Sequence, residues 1–285
     1  MICHYTFVRR YRNKKTWIAR AYVDFSHRRQ TYRDLSERYG KDPKTIRKKF
    51  DAYSPVTGEM LPEIKPLNLV IDATFFKRGD GYMVARAHGR NLHWFPIATE
   101  KVEHYERCLD NLEAAGYSFA SFTTDGKRGV RKMLQKRYPG IPYQHCQFHQ
   151  LQTITHKLTK RPKLEAGKEL RAIALTLSRT TRTTFTAALD QWHKKWDEFL
   201  KERTFSVERK RRWRYVHERL RSAYFSLRRN LPWLFTYLDY PDLHIPNTTN
   251  SCDGSFTHWK NKVQLHRGIQ QHRKRKMIDT LLESI

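Results

Sequence analysis

At 285 residues, 39% of them hydrophobic and 13% aromatic, the chain holds enough apolar material for one sizeable core plus one or two small modules, which excludes a disordered tail. Lys and Arg number 56 against 28 Asp and Glu, a formal net charge of +28 that calls for a polyanionic partner. No apolar run approaches the roughly 20 residues that span a bilayer, and the scattered Cys3, Cys108, Cys146 and Cys252 exclude a disulfide framework or a self-contained zinc ribbon.

A soluble protein of a reducing compartment is therefore expected. The basic residues recur along the chain, at Arg9-Arg10-Tyr11-Arg12, Arg47-Lys48-Lys49, Arg209-Lys210-Arg211-Arg212 and Arg273-Lys274-Arg275-Lys276. A purely basic RNA binder would show the same balance, so charge alone names nucleic acid without naming its kind.

In chain order, residues 1–53 read as a helix-turn-helix DNA-binding region. Thr31 to Tyr39 forms a short helix, Gly40 supplies a tight turn, and Asp42-Pro43 caps and starts a second helix through Ile46 and Phe50. Lys44, Thr45, Arg47 and Lys48 then face DNA while Ile46 and Phe50 face the core; an ordinary helical hairpin with a solvated basic face has the same pattern. Residues 54–66, with Pro55, Pro62 and Pro66, read as a linker.

From Leu67 the period changes to that of strands. Leu67 to Thr74, Gly81 to Ala87 and Leu92 to Ala98 follow at meander spacing, then a helix from Val102 to Ala115, a strand from Phe119 to Asp125, a helix opened by Gly126, a short strand at Tyr143 to His145 and a helix near Gln147. This α/β order is that of an RNase H-like mixed sheet. Residues 67–163 form the first part of that core and 243–285 its last part. Between them, 164–242 read as an all-helical insertion. Thr183 or Thr184 caps a helix there with Phe185, Leu189, Trp192, Trp196 and Phe199 on one face, and Trp213, Tyr224, Phe225, Trp233 and Phe235 add core bulk.

Asp72 stands near the end of an apolar strand, and Asp125 ends another just before Gly126 and Lys127. A carboxylate in such a run is costly to bury unless it pairs or binds a cation. If the two strands are neighbours, the carboxylates converge across about 5 Å of sheet. Oxygen-only ligands suit Mg²⁺ or Mn²⁺, the ions of in-line phosphodiester displacement. Asp125 could equally cap the following helix.

At Ile71-Asp72-Ala73-Thr74, Thr124-Asp125-Gly126, Cys146-Gln147-Phe148-His149 and Asn250-Ser251-Cys252-Asp253-Gly254 the sequence resembles bacterial insertion-sequence transposases related to the plant Mutator elements. The resemblance runs from about Thr31 to Ile285 and includes Leu265-His266-Arg267-Gly268. It implies a DDE-type transposase with an RNase H-like catalytic domain, two Mg²⁺ or Mn²⁺ ions, and Asp72, Asp125 and Asp253 as metal ligands. At the third position the family typically has Glu, one methylene longer. His149 is implied beside the scissile phosphate; Cys146 reads as packed beside it. The implied partners are double-stranded DNA (terminal inverted repeats and target) and further copies of the chain, as a homodimer or higher oligomer in the nucleoid of a prokaryotic cytoplasm. A decayed or domesticated transposase that only binds DNA would share these features. An RNase H-type nuclease fits the three acids and leaves the helix-turn-helix and insertion unexplained.

Overall fold

The computed structural model describes residues 17–54, 65–205, 213–266 and 268–283, with Ser251 and Asp253 described in their backbone alone. Most of the expected linker, Cys3, and the basic runs at 9–12 and 209–212 lie outside these residues. The first described elements are α1 (Trp17–Ser26), α2 (Tyr32–Tyr39), α3 (Pro43–Ala52), β1 (Leu67–Lys77), β2 (Asp80–Ala87) and β3 (Arg90–Ile97). There follow α4 (Val102–Ala114), β4 (Phe119–Thr124), α5 (Arg128–Arg137), β5 (Tyr143–His145), α6 (Gln147–Leu158) and α7 (Glu165–Leu175). The remainder comprises α8 (Arg182–Lys201), β6 (Arg203–Phe205), β7 (Trp213–Tyr215), α9 (Glu218–Leu234), α10 (Thr236–Asp239), α11 (Asn250–Leu265) and α12 (Gln271–Glu283). No helix among the described residues is long and apolar enough to cross a membrane.

The chain forms two compact units, the smaller taking the N-terminal helices, residues 89–91 and the chain from Asp253 onward. In it Thr31 and Asp34 close a capping box at the start of α2, and Gly40, at φ 58°, ends that helix. Asp42 then accepts from the amides of Lys44 (3.2 Å) and Thr45 (2.9 Å), so α3 begins where the sequence places it. A further helix, α1, precedes this pair and was not expected. It supplies Tyr22, edge-on to Phe50 at 5.0 Å, and Phe25 at 5.4 Å from the same ring. Its buried Asp24 accepts from Tyr39 Oη (2.8 Å) and Arg28 (2.9 Å), tying α1 to α2. Helix α12 docks on the same unit through Arg273, which grips Asp51 with two 2.6 Å bonds, and Lys276, which donates to the Phe50 carbonyl at 2.7 Å. Arg273 and Lys276 of that basic run are thus engaged inside the protein.

The larger unit is α/β, built on a five-stranded mixed sheet in the order β3-β2-β1-β4-β5. β1 pairs antiparallel with β2, from Val70↔Arg86 to Lys77↔Asp80, and parallel with β4 at Leu69↔Phe122 and Val70↔Thr123; β4 pairs parallel with β5. Leu67, Leu69, Val70 and Ile71 are all buried, as a central strand covered on both faces requires. Tyr105, Cys108, Leu109 and Leu112 of α4 and Val130 and Leu134 of α5 fill the core beside it.

A second core gathers Ile154, Leu170, Phe185, Leu189, Trp192, Tyr224, Leu227 and Phe235 from α6 to α9 and the turn after them. Two expectations fail here. Residues 164–242 are not all-helical: β6 and β7 form an antiparallel ribbon from Arg203↔Tyr215 to Phe205↔Trp213, built by short aromatic and β-branched runs on either side of a connection. And Trp213 (39% exposed) and Phe225 (42%) are surface residues, with the Arg203 guanidinium 4.2 Å from the Trp213 ring. Thr181, two to three residues earlier than expected, caps α8 by accepting from the Thr184 amide at 3.3 Å.

Candidate active site

The last parallel pair between β1 and β4 is Val70↔Thr123; two residues further along each chain stand Asp72 and Asp125. Continued along that register the two would stand level, one strand spacing of about 4.8 Å apart, although Asp125 has already left the ladder. β1 runs beyond the expected end, to Lys77, because its other edge keeps pairing with β2 after β4 has stopped at Thr124. Asp72 thus sits where a neighbour leaves a continuing strand, a gap that accepts a polar group. It is 4% exposed, and one carboxylate oxygen accepts from the Ala73 amide at 2.8 Å.

Asp125 is the first residue off β4 and accepts from the Lys127 amide at 3.2 Å. Gly126 follows with φ 91°, its backbone against the His145 ring; an added Cβ would lie 2.0 Å from that ring. Only glycine lets the turn fall this close. The helix expected to open at Gly126 opens at Arg128 instead. Burial raises the Asp125 pKa, Glu100 raises it further, and Lys127 and His149 work against both.

Glu100 was not anticipated. It stands three residues past the end of β3, accepts from the Tyr105 hydroxyl at 2.5 Å and pairs with the Lys127 ammonium. Tyr105 is fully buried; burial first, then Asp125, Glu100 and Asp72, push its pKa well up. Its neutral hydroxyl is thus the common neighbour of three carboxylates from three stretches of chain. The rule that draws attention to Asp125, functional groups at strand ends, also applies to Glu100.

Cys146 caps α6 at 0% exposure, with burial raising its thiol pKa. Its Sγ accepts from the Thr249 amide at 3.2 Å, and the Thr249 hydroxyl meets His149 Nδ1 at 3.2 Å. The chain arriving from the insertion is stitched over the parallel strands: Asn68 Nδ2 donates to the Leu243 carbonyl, the Thr123 hydroxyl to Pro246 (2.9 Å), and Asn247 to Gln147 (3.1 Å). That strap delivers the start of α11, Asn250, just after Thr249. Asp253 lies in α11, and its side chain is outside the described residues. His145, between Gly126 and the helices, has its pKa lowered to about 3 by burial, Arg131 and His149, so it stays neutral.

Lys44, Thr45, Arg47 and Lys48 occupy the exposed side of α3 in the smaller unit, while Ile46 and Phe50 are buried; Arg47 also covers the Tyr32 ring at 4.9 Å. Asp72, Asp125 and Glu100 offer hard oxygen donors, the set suited to Mg²⁺ or Mn²⁺. Among the described residues no group of three or more His, Cys, Asp or Glu side chains is close enough to hold a metal by itself. An ion here would draw its remaining ligands from water, phosphate oxygens or a further carboxylate. No family model matches this chain, and no curated protein matches it.

Proposed function

We propose that the chain is a metal-dependent DNA strand-transferase, a DDE-type transposase whose larger unit is an RNase H-like catalytic core. The observation that carries the reading is Asp72 on β1 and Asp125 just past the end of the adjacent parallel strand β4, each two residues beyond the last pair Val70↔Thr123, beneath the strap that leads to α11. The strand order β3-β2-β1-β4-β5 and the capped helix pair with an exposed basic face support it. Asp253 enters as third carboxylate on the resemblance alone. The proposed partners are terminal inverted repeats, target DNA and further copies of the chain.

Asp72 and Asp125 would hold the divalent ions, which when bound neutralise charge on the scissile phosphate and activate the attacking hydroxyl. Asp72 is buried and Asp125 half-buried, so water screens them less than in bulk, and a bound cation would favour the ionised form of Asp125, whose pKa burial raises. Tyr105 stays a neutral donor and fixes Glu100, which in turn holds Lys127 beside the site. His149, whose Nδ1 meets the Thr249 hydroxyl, would donate its other ring nitrogen to a phosphate oxygen.

The test is cleavage of DNA carrying the element's ends, with Mg²⁺ or Mn²⁺ against chelator. Asp72→Asn is expected to lower the rate by roughly 10²–10³ or more while leaving binding intact. Cleavage persisting in that variant overturns the mechanism. Wild-type binding without any metal-dependent cleavage would select the DNA-binding reading in place of the enzyme.

A further inference from the structure

Three arginines and a tryptophan outside the carboxylate site form a second feature of the larger unit. Arg128 and Arg131 lie three residues apart on α5, and Arg229 and Trp233 four apart on α9, so each pair shares one helix face. The two faces meet where the Arg131 guanidinium lies 3.5 Å from the Trp233 ring centroid. Arg131 is only 7% exposed and its Nε has no hydrogen-bond partner, whereas Arg128 and Arg229 are exposed. Among the described residues no carboxylate pairs with any of the three.

A buried, unpaired guanidinium is costly, and gathering two more beside it adds repulsion. Burial lowers the Arg131 pKa first, and Arg128 and Arg229 lower it further against the opposing effect of Tyr143. The indole face offsets part of that cost by a cation–π contact and fixes the plane of the fork. An anion with several acceptor oxygens would pair with this arrangement and relieve the repulsion among the three charges. α5 also starts three residues after Asp125, which puts Arg128 beside the end of β4.

We infer that Arg128, Arg131 and Arg229, backed by Trp233, form a phosphate clamp for the DNA strand that leads to the Asp72–Asp125 site. This rests on the transposase reading and deepens it: the substrate would be held by a backbone phosphate on the α5–α9 face, independent of base sequence. Arg131 is the fixed prong and the two exposed arginines close on the phosphate.

The experiment measures binding of a fluorescein-labelled DNA duplex by anisotropy across a salt series, in chelator so that catalysis plays no part. Arg128→Gln and Arg229→Gln remove exposed groups and keep the fold; Lys44→Gln with Arg47→Gln serves as the helix-turn-helix control. Losing one clamped phosphate should lower the slope of log affinity against log salt by about 0.9 in the double variant, and each single variant should show part of that drop. Inorganic phosphate at millimolar levels, tested as competitor, should weaken wild type more than the double variant. Unchanged slopes in both clamp variants, with wild-type binding and the control intact, overturn the clamp and leave the transposase reading standing. Phosphate competing while duplex slopes stay unchanged makes this a site for a free anion and also overturns it. Absence of wild-type DNA binding overturns both.

Discussion

Asp125 shows what a half-buried carboxylate costs the fold. Its folded pKa is raised, by burial and then by Glu100. A raised carboxylate contributes stability that is fully present below its unfolded pKa and is lost as pH rises through the folded value. At neutral pH the ionised group therefore destabilises the metal-free protein. Asp125→Asn keeps an acceptor for the Lys127 amide and removes the charge, so in chelator at pH 7 it should stabilise by about 0.5–2 kcal/mol, a melting-temperature rise of roughly 1–4 °C. The same substitution should erase any stabilisation of the wild type by Mg²⁺. A variant that melts lower than wild type in chelator would show that the carboxylate is held by contacts that outweigh its burial. Glu100 escapes a sequence reading because it lies in a loop of polar neighbours, Thr99 and Lys101, and only the Tyr105 contact five residues on brings it to the acids.

At the scale of elements, local signals were legible wherever a residue's own chemistry dictates its backbone. Gly40, Asp42-Pro43 and the β-branched run at Leu69–Ile71 each formed the element their residue types demand. Elements that depend on distant partners were not legible. The buried face of α1 is defined by Phe50 and His266, which arrive from far along the chain. The β6–β7 ribbon interrupts a helical register with two three-residue strands, too short for a period to show. The junction of α3 and α12 is of the same kind and can be tested directly. Arg273, with His272 nearby, holds Asp51 at a pKa of about 2. A depressed carboxylate contributes stability above its unfolded pKa that is lost as pH falls through the folded value. The Asp51 side chain is 36% exposed, so solvent screening limits the pair to about 0.5–1 kcal/mol. Arg273→Gln should be less stable than wild type by about that amount at pH 7, and chemical denaturation should show the gap narrowing as pH drops from 5 toward 2. A gap that stays constant with pH would assign the effect to packing of the Arg273 stem.

At the scale of the molecule the dominant quantity is +28 formal charges on 285 residues. The ion pairs among the described residues are mostly exposed, such as Lys168–Glu165, Lys195–Glu169 and Lys201–Asp197, and do little to neutralise the whole. The excess repels itself in the folded state more than in the expanded chain, so salt should act in opposite directions on the free protein and on its complex with DNA. Between about 0.1 M and about 1 M NaCl the screening length falls from about 10 Å to about 3 Å. The melting temperature of the free protein should rise over that range as self-repulsion is screened. DNA affinity should fall linearly in log salt, because each neutralised phosphate releases counterions. Differential scanning fluorimetry and anisotropy on one salt series read both trends. If the melting temperature falls with salt instead, the exposed ion pairs hold the fold together more than the net charge strains it. If affinity is flat, the charge is not spent on a polyanion, and the basic faces of α3 and of the α5–α9 pair need another explanation.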